Sequence, residues 1–451
     1  MPSSRDPAPP RPEPPAEPRR PALVSVVIPA WDEAETIVPL IQGVQSALAA
    51  LCEKLEVIVV VPDRRDPTVA AALSAGATVL AQLRPGYGGA LREGLRAARG
   101  EYVVTLDADL SHPPEALPEL FAARDRAEVV VASRYVRGGS ARMPLGRSLL
   151  SRLLNLVYRR VLAVPVSDLS SGFRLYQRRV LDELDLVSEK YDVLEEILVK
   201  IYSLGWRVVE VPFAYQLRSA GRSHANVVGF TPAFLVTLFE LWRMRNSFDS
   251  ADYDSRAFDS LIPPQRWWQR QRHRIVLSML GDLHPRLDAG CGSSRIAQSD
   301  PRTVVLDIEI AKLRFLRTTN PLRIRGTTYQ LPFRDGSFAA VVSSQVIEHI
   351  PHERALFEEL HRVLVPGGTL VIGTPDYGRL AWRLVERLYK WLLPNAYGDE
   401  HITHYTRHRL FEELAESGFA IRSYRYIFGG ELIARCERLE RPAEPLRAAR
   451  P

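Results

Sequence analysis

Short apolar runs alternate with stretches of helical spacing along most of the chain. From residue 23 to about 245, runs rich in β-branched residues, such as LVSVVIPA and LEVIVVV, are separated by sequences with the periodicity of amphipathic helices. A second series of this kind, which includes TVVLDIE and FAAVVSSQ, extends from about 274 to 440. Alternation of strands and helices is typical of open α/β sheets, whose ligands bind at the carboxyl ends of the strands. The pattern therefore predicts two α/β domains, at 23–245 and 274–440.

Polar segments surround these two series. Residues 1–22 are rich in proline and poor in apolar residues, which predicts a disordered tail, and residues 441–451 are predicted to form a second one. Between the two series, residues 246–273 are polar and irregular, as expected for a linker and entry segment. A chain of 451 residues is long enough to build a separate core in each domain.

The composition is that of a soluble globular protein and gives no indication of nucleic-acid binding. Apolar residues make up 46% and charged residues 25% of the chain, and its 59 basic side chains are interleaved with 53 acidic ones. The net charge of +6 indicates only a modest preference for anionic ligands or lipid headgroups. Cys52, Cys291 and Cys436 lie far apart and lack the spacing of a zinc site or a disulfide framework. A reducing, cytoplasmic compartment is therefore expected.

The most apolar stretch, VVGFTPAFLVTLFELW at 227–242, is too short to cross a bilayer, which needs about 20 apolar residues. It contains Glu240 and is flanked by Arg222, Arg243 and Arg245. Two interpretations remain open. The segment lies on a membrane surface, as in a peripheral protein at the inner face of the cell membrane, or it forms a core helix of the first domain.

The sequence TLDADLSHPP, at 105–114, places Asp107 and Asp109 two positions apart at the end of a predicted buried strand. Alternate residues of a strand point to the same side, so both carboxylates can approach one hard cation such as Mg²⁺ or Mn²⁺. A cation held in this way usually keeps coordination sites for diphosphate oxygens. The alternative is that the pair caps the following helix, because Ser111 and Glu115 suit a helix start.

Four motifs of the first series occur in a recognisable order. Together they resemble family 2 glycosyltransferases of the GT-A fold, most closely the dolichyl- or polyprenyl-phosphate sugar transferases, over about 23–245. The resemblance implies metal-dependent glycosyl transfer from a nucleotide sugar. The motifs are VSVVIPAWDEAETI (24–37), RPGYGGALREGLRAARGEYVVTLDADLSHPPE (84–115), ASRYVRGG (132–139) and DLSSGFRLYQRRVL (168–181).

The resemblance also assigns roles to individual residues. It implies that the end of the first strand borders the nucleotide, that the paired aspartates hold the metal and the diphosphate, and that two arginines face phosphate groups. The residues are Pro29, Ala30 and Glu33 at the nucleotide, Asp107 and Asp109 at the metal, and Arg134 and Arg174 at the phosphates, with Asp109 and Arg174 as catalytic residues.

One motif of the family is replaced in this chain. After the second strand the family usually has an Asp-Asp-Gly-Ser run, but here the sequence is VIVVVPDRRDPT, with Val61-Pro62 in place of the aspartate pair. Asp63 or Asp66 is a candidate substitute. The nucleobase therefore cannot be inferred.

The sequence contains only a weak candidate for a general base in the first domain, and this predicts the class of acceptor. Transfer to a sugar hydroxyl needs a base to take the proton, whereas a lipid phosphate is already an anion. Only Glu195 and Glu196, in YDVLEE at 191–196, are candidates for such a base. GRSH, at 221–224, resembles the closing Gly-x-Ser-Lys of the family. A polyprenyl-phosphate-like acceptor is therefore favoured over a glycan, with in-line displacement at the anomeric carbon.

The second series carries motifs of another kind. PRLDAGCGSS, at 285–294, joins a strand to glycines that let the backbone approach a ligand, and VVLDIE places Asp307 where a carboxylate can bind ribose hydroxyls. With LPFRDGSFAAVVSSQVIEHI (331–350) and RVLVPGGTLVIGTPD (362–376), these motifs resemble class I S-adenosylmethionine-dependent methyltransferases over about 256–436. The resemblance implies a Rossmann-like domain that uses S-adenosyl-L-methionine.

The same resemblance implies where this cofactor is bound. The sequence departs from the family at Ser294, Thr327 and Ala339, but none of these changes removes a carboxylate that the ribose needs. The residues expected around the cofactor are Asp288, Gly290 and Gly292 at its methionine part, Asp307 at its ribose, and Gln345 at the mouth of the site.

Two motifs that contain histidine suggest further hypotheses. Glu348-His349 follows the fourth strand of the second series, where His349 would be either the catalytic base for an acceptor hydroxyl or a structural residue. HITHYTRHRL, at 401–410, contains three histidines, but a tetrahedral metal site would also need ligands that converge from elsewhere in the chain. Zinc binding by this stretch is therefore not favoured.

Three functions are consistent with these features. The first is a bifunctional enzyme of glycan or glycolipid biosynthesis that joins a glycosyltransferase to a methyltransferase. The second is an active methyltransferase with a degenerate nucleotide-sugar domain, as Val61-Pro62 would allow. The third is a non-catalytic scaffold or membrane adaptor. It is the least favoured, because the residues expected to carry the chemistry are present: Asp107, Asp109, Arg174 and Asp307.

Overall fold

The apolar runs of the two alternating series pair into two seven-stranded sheets, one in each half of the chain. The computed structural model describes residues 20–143, 145–216, 231–392 and 401–440. Most of both predicted tails lies outside the described residues, and so does GRSH at 221–224. The α/β fold class predicted for both halves is confirmed.

The first domain surrounds its sheet with helices on both faces. Its strands are β1 (Leu23–Pro29), β2 (Lys54–Val61), β3 (Thr78–Ala81), β4 (Tyr102–Thr105), β5 (Val129–Ser133), β6 (Ser140–Ala141), β7 (Arg174–Gln177), β8 (Val208–Pro212) and β9 (Ala214–Tyr215). Its helices are α1 (Ile37–Leu48), α2 (Thr68–Ser74), α3 (Gly86–Ala97), α4 (Leu117–Ala122), α5 (Leu145–Leu162), α6 (Arg178–Leu181), α7 (Val193–Ser203) and α8 (Thr231–Arg245).

The strand order of the first sheet is β3-β2-β1-β4-β7-β5-β8, and β7 is antiparallel to both of its neighbours. Because successive side chains of a strand point to opposite faces, Val26 and Ile28 pack with α1, α2 and α4, whereas Val27 packs with α3 and α7. All three side chains are fully buried. The parallel pairing of β1 with β2 and β4 brings the carboxyl ends of these strands to one edge of the sheet.

The second domain repeats this layered arrangement with a different topology. Its strands are β10 (Arg286–Ala289), β11 (Val304–Asp307), β12 (Arg323–Arg325), β13 (Phe338–Ser344), β14 (Leu364–Pro375), β15 (Phe419–Ile427) and β16 (Glu431–Arg438). Its helices, with the two that precede its first strand, are α9 (Tyr253–Phe258), α10 (Pro263–Leu280), α11 (Arg295–Gln298), α12 (Ile310–Phe315), α13 (Arg354–Val363), α14 (Leu380–Leu392) and α15 (Arg407–Glu416).

The strand order of the second sheet is β12-β11-β10-β13-β14-β16-β15, and β16 is antiparallel to both β14 and β15. The remaining neighbours are parallel, so β10, β11 and β13 present their carboxyl ends together. Fully buried Leu287, Val341 and Leu370, from three adjacent strands, lie in the main core cluster of this domain. This edge is where an α/β sheet binds its ligands.

The apolar stretch at 227–242 corresponds largely to α8, which begins at Thr231. Thr237 and Leu241 are buried, whereas Leu235, Val236 and Phe239 are exposed. The helix therefore packs through one face and presents an apolar face outward. Within the ranges that the structure describes, no helix combines the length and the apolar character needed to cross a membrane.

The residues predicted as a linker, 246–273, include α9 and the first part of α10. Trp268 and Arg272, both on α10, bind the buried carboxylate of Glu431 on β16, and the two Arg272 bonds are 2.7 Å long. Ile275 and Val276 pack in a core cluster with residues of the second sheet. This segment is therefore a folded part of the structure and joins the second domain.

The two domains contact each other through the end of α12 and the turn that follows it. Arg314 donates two 2.6 Å hydrogen bonds to Glu183, and its guanidinium lies 3.8 Å from the ring centroid of Trp206. Arg317 donates a 2.8 Å bond to Glu128. Both acidic residues belong to the first domain, so charge complementarity holds the interface together.

We expect Gly205→Ala to destabilise the chain more than Gly76→Ala. Both glycines have a positive φ, +77° and +83°, so each change incurs a left-handed backbone cost of about 1–2 kcal/mol. At Gly205 the new methyl group would also lie 2.3 Å from the carbonyl oxygen of Ala311 in the other domain, whereas nothing lies within 4 Å at Gly76. Urea denaturation should therefore show an additional loss of about 1–3 kcal/mol for Gly205→Ala. Equal losses would contradict this domain contact.

Candidate functional site

The paired aspartates of the first domain lie in the loop after β4, at the carboxyl edge of the sheet. Asp107 is partly exposed, and its Oδ1 accepts a 3.0 Å hydrogen bond from the hydroxyl of Tyr87. Asp109 is largely buried, and its Oδ1 accepts a 3.0 Å bond from the backbone N–H of Ser111. Leu110, between Asp109 and Ser111, has a φ of +60°, so the chain turns sharply at this point of the loop. Asp109 thus shapes the turn of this loop, and the N-cap position of the next helical turn is occupied by Pro113.

His112 supports this loop from beneath. Its Nδ1 accepts a 3.0 Å hydrogen bond from the backbone N–H of Asp107, which places the ring proton on Nε2 when the histidine is neutral. The buried ring stacks on Phe173, with a centroid distance of 5.3 Å, and meets the edges of Phe213 and Tyr215. Sequence reasoning gave His112 no role, although its position beside the paired aspartates could have suggested one.

Tyr87 supports the same loop from another side. Its ring stacks on that of Tyr191 with a centroid distance of 4.6 Å. Burial, together with the charge of Asp107, raises the pKa of the Tyr87 phenol well above its ordinary value. The hydroxyl therefore stays protonated at neutral pH and remains a donor to Asp107.

The two predicted phosphate-binding arginines are both engaged within the domain. Arg134 forms a bidentate pair with Asp168, at 2.7 and 2.6 Å, and also donates to Ser170. Arg174 is fully buried, and its guanidinium donates to the carbonyl oxygens of Leu194 and Leu169 at 2.9 and 2.6 Å. This packing does not support the predicted phosphate contact and catalytic role of Arg174, because its guanidinium is enclosed by backbone.

The predicted nucleotide-bordering residues lie at the end of β1. Ala30 donates its backbone N–H to the carbonyl oxygen of Val60 on β2, at 2.9 Å. The buried Glu33 receives a 2.9 Å hydrogen bond from the hydroxyl of Thr36 and donates its own N–H to Thr68. Pro29 is the last residue of β1, so all three predicted residues share the edge that carries the paired aspartates.

The segment that replaces the family's aspartate pair begins where β2 ends, at Val61. Asp63 accepts from the backbone N–H of Arg65 at 2.6 Å. Asp66 accepts from the N–H groups of Thr68 and Asp32, at 2.9 and 3.2 Å. Asp66 thus links this turn to the turn after β1, which keeps it a candidate for the missing acidic role.

The second domain has a cavity of about 420 Å³ at the carboxyl ends of β10, β11 and β13. Asp307, at the end of β11, accepts hydrogen bonds from the N–H groups of Gly292 and Glu309, at 2.7 and 2.9 Å. The predicted cofactor-binding set is therefore brought together. The residues of that set that line the cavity are Asp288, Gly290, Gly292, Asp307 and Gln345.

The glycine turn of this cavity requires glycine at two positions. Gly290 and Gly292 have φ angles of +77° and +53°. A Cβ added at Gly290 would lie 2.5 Å from Val346, and one at Gly292 would lie 2.6 Å from the carboxylate of Asp254. The absence of side chains lets the loop come close to its neighbours and leaves room for a ligand beside it.

Asp288 is a buried acid on the wall of the cavity. Among the described residues, its Oδ2 has no hydrogen-bond partner. Burial, reinforced by the nearby Asp307, raises the pKa of Asp288 to about 7. A cationic group entering the cavity would therefore be favoured here, because it would stabilise the ionised form.

Residues before the first strand of this domain close the cavity, and sequence reasoning missed them. Asp254 accepts from the N–H and the hydroxyl of Ser293, at 3.1 and 3.2 Å, and so holds the glycine turn. The ring of Phe248 lies against the amino group of Lys312, which is 3.1 Å from its centroid. Phe248, Asp254 and Arg272 all line the cavity although they precede its glycine motif.

The predicted catalytic His349 also lines the cavity, and its ring stacks on Phe248 with a centroid distance of 5.0 Å. The adjacent Glu348 is fully buried, and burial raises its pKa to about 8. Gln345 has a φ of +62° and donates to Glu431 at 3.3 Å, which fixes it at the cavity wall.

Comparison with known proteins accounts for both halves of the chain. Residues 25–185 match the model of the glycosyl transferase family 2, and residues 287–372 match that of a methyltransferase domain. A dolichol-phosphate mannosyltransferase of Pyrococcus furiosus is 35% identical over 212 residues, which cover 44% of this chain and 58% of that protein. The chain thus spans little more than half the length of this archaeal relative.

Two mycobacterial proteins are also similar to the first half. A polyprenol monophosphomannose synthase of Mycolicibacterium smegmatis is 33% identical over 258 residues, which cover 53% of this chain and 94% of that protein. The second is glucosyl-3-phosphoglycerate synthase from Mycobacterium tuberculosis, in a crystal structure that contains Mn²⁺, UDP and glucosyl-3-phosphoglycerate. It is 24% identical, with a TM-score of 0.41, and the match covers 49% of this chain and 80% of that chain. The family match and the near-complete coverage of the Mycolicibacterium relative show that the chain belongs to glycosyltransferase family 2 and carries a methyltransferase domain on its carboxyl side.

Proposed function

We propose that the chain is a bifunctional enzyme of glycolipid or glycan biosynthesis. The first domain transfers a sugar from a nucleoside diphosphate to a polyprenyl phosphate, and the second transfers a methyl group from S-adenosylmethionine. The observation that carries the proposal is the pair of supported carboxylates, Asp107 and Asp109, at the ligand-binding edge of a family 2 domain. The names of the mannosyltransferase relatives favour the same acceptor class.

The donor set after β4 fits a hard divalent cation. Two carboxylates two positions apart are the type of ligand that Mg²⁺ and Mn²⁺ prefer, and Asp107 is partly exposed toward solvent. Such a cation would neutralise the charge that develops on the leaving diphosphate. Asp107 and Asp109 would hold it, while Tyr87 and His112 keep their loop in place.

The state of the candidate bases supports an anionic acceptor. Burial raises the pKa of Glu195 to about 8, so its carboxyl group is mostly protonated at neutral pH and cannot take a proton. Glu196 is bound by Lys200 at 2.6 Å and by the N–H groups of Val187 and Ser188. A phosphate oxygen of the acceptor would need no base: it would form the bond to the anomeric carbon as the bond to the nucleoside diphosphate breaks.

An apolar surface on the first domain supports contact with a lipid-borne acceptor. Helix α8 exposes Leu235, Val236 and Phe239, and the neighbouring α5 exposes Leu149 and Leu153. Apolar side chains on helices with basic residues near their ends suit the interface of an anionic bilayer. We therefore propose a peripheral contact with the inner face of the cell membrane through these two helices.

The cavity of the second domain fits S-adenosylmethionine. Asp307 would accept from the ribose hydroxyls, and the glycine turn would run along the methionine part. Asp288 would face the ammonium group of the methionine. When bound, S-adenosylmethionine would supply its methyl group to the acceptor, with the carbon–sulfur bond broken and S-adenosylhomocysteine released. A hydroxyl acceptor would give up its proton at the His349 end of the cavity.

A transfer assay tests the first activity. Full-length protein, Mn²⁺, polyprenyl phosphate and a panel of labelled nucleotide sugars should give label in the lipid-extractable fraction. Asp107→Ala with Asp109→Ala should lower this transfer by about 100-fold or more, because the developing charge loses its cation. Asp125→Ala, a change of an exposed carboxylate in the same domain, should have no effect. Undiminished transfer in the double variant would contradict the proposed metal role.

Asp307→Ala should weaken binding of S-adenosylmethionine by about 10- to 100-fold. The ribose hydroxyls would lose a charged acceptor, which is worth about 1.5–3 kcal/mol. Isothermal titration of the full chain measures the effect, with Asp335→Ala as a control for an exposed carboxylate of the same domain. The proposed cofactor would be ruled out if the native chain had no measurable affinity, and the ribose contact if Asp307→Ala bound normally.

Binding of S-adenosylmethionine should strengthen as the pH rises toward 7. In the free protein Asp288 has a pKa of about 7, and the ammonium group would bind its ionised form, so binding below this pH must displace a proton. The affinity should increase on the order of tenfold between about pH 5.5 and pH 7.5 and then level off. Asp288→Asn should bind more weakly and lose this dependence. If Asp288→Asn kept the native pH profile, the pH dependence of binding would come from another group.

A further inference from the structure

The histidine-rich stretch that begins at His401 lies beside the turn that contains Glu348 and His349. The backbone N–H groups of Ile402 and Thr403 donate to the carbonyl oxygen of Glu348, at 2.8 and 3.1 Å. The hydroxyl of Thr403 also donates to the carbonyl oxygen of Ile350, at 2.7 Å. Three hydrogen bonds therefore fix the two segments against each other, although more than 50 residues separate them in sequence.

This juxtaposition brings together three side chains that commonly ligate metals. One ligand atom from each of Glu348, His349 and His401 lies within 4.8 Å of the other two. The ring centroids of the two histidines are also 4.8 Å apart. Glu348 is fully buried, and within the described parts of the chain neither of its carboxylate oxygens has a hydrogen-bond partner of good geometry. A buried carboxylate without such a partner needs a compensating cation or a proton.

The surroundings hold the two imidazole rings in fixed orientations. The Nδ1 atom of His401 lies 2.6 Å from the hydroxyl oxygen of Tyr377, so Nε2 is the nitrogen directed toward a ligating position. Trp382 stacks on His401 with a centroid distance of 6.1 Å, and Phe248 stacks on His349 at 5.0 Å. Hydrogen bonds and packing around metal-binding histidines have this orienting effect.

We propose that Glu348, His349 and His401 bind a divalent transition-metal cation, with zinc as the best match, at the His349 side of the cavity of the second domain. Two imidazoles and one carboxylate are a ligand set of catalytic zinc sites, in which the fourth position stays open. The sequence alone did not show ligands that converge on the histidine-rich stretch. In the structure Glu348 and His349, in the turn after β13, supply them.

The use of this cation rests on the proposed methyl transfer. His349 lines the cavity, so a cation bound there would face an acceptor held near the methyl donor. A hydroxyl acceptor at the open position would lose its proton to solvent more readily, because a divalent cation lowers the pKa of a bound hydroxyl. The resulting oxygen anion would form the bond to the methyl carbon as the carbon–sulfur bond breaks. His349 would then act as a ligand and not as a lone base.

Cobalt binding tests the site directly. The full chain, without an affinity tag and with Asp107→Ala and Asp109→Ala to remove the paired-aspartate site, is titrated with Co²⁺ while visible absorption is recorded. His284→Ala is added to remove a second group of possible ligands, Asp282, His284 and Asp300. We expect one equivalent per chain with d–d bands of four- or five-coordinate cobalt, displaced by Zn²⁺. His401→Ala and Glu348→Gln should each weaken binding at least tenfold. His408→Ala should not, because that histidine is exposed and pairs with Glu412.

Binding of S-adenosylhomocysteine to the same samples separates the possible failures. Variants that keep this binding and a native circular dichroism spectrum are folded, so their loss of cobalt reports on the ligands alone. Cobalt binding that is absent in the parent chain, or unchanged in both His401→Ala and Glu348→Gln, would overturn the metal site. Stoichiometric cobalt binding without any affinity for S-adenosylhomocysteine would instead overturn the proposed methyl transfer and leave the site standing.

Discussion

A buried ion pair at the end of α8 connects the two domains, and the position of everything after it depends on this contact. Arg245 is fully buried and donates to both carboxylate oxygens of Asp252, at 2.7 Å each. Burial alone would raise the pKa of Asp252, but the charge and hydrogen bonds of Arg245 lower it below its ordinary value. Loss of one partner would leave an uncompensated buried charge, at a cost of about 3–5 kcal/mol. The segment from 246 to 260 therefore starts from a fixed point on the first domain.

That fixed point determines the shape of the cavity in the second domain. Phe248, in the loop that the ion pair closes, lines the cavity and contacts both Lys312 and His349. Two residues after the ion pair, Asp254 holds the glycine turn through Ser293. Residues that line the cavity of the second domain are thus held in place by a contact with the first domain, which carries the paired aspartates.

The sequence was sufficient to predict the two α/β domains and most of both ligand edges. Strand and helix periods differ clearly, and the aspartates and glycines of the motifs follow directly from strand ends, so local pattern determines their position. The environment of Arg174 was not predictable in this way. Its guanidinium is enclosed by carbonyl groups of Leu169 and Leu194, and only the tertiary packing of β7 against α7 decides whether an arginine faces solvent or backbone.

The other features that the sequence did not predict depend on contacts between residues that lie far apart in the chain. His401 meets Glu348 because backbone hydrogen bonds join two loops, and no periodicity in either loop predicts that pairing. Residues 246–273 have the polarity of a linker, yet Trp268 and Arg272 within them bind Glu431 on a distant strand. Polar side chains that satisfy a single buried partner have no sequence signature of their own.

The anchored segment also limits how such a protein can arise by recombination. The matched methyltransferase region begins at residue 287, after Phe248, Asp254 and Arg272, which complete its cavity. A genetic exchange at that boundary would transfer the strands and the glycine turn without these three residues that line the cavity. The structural unit that completes the cavity of the second domain therefore extends back to the end of α8, so a change in the stretch between the domains alters the surroundings of both.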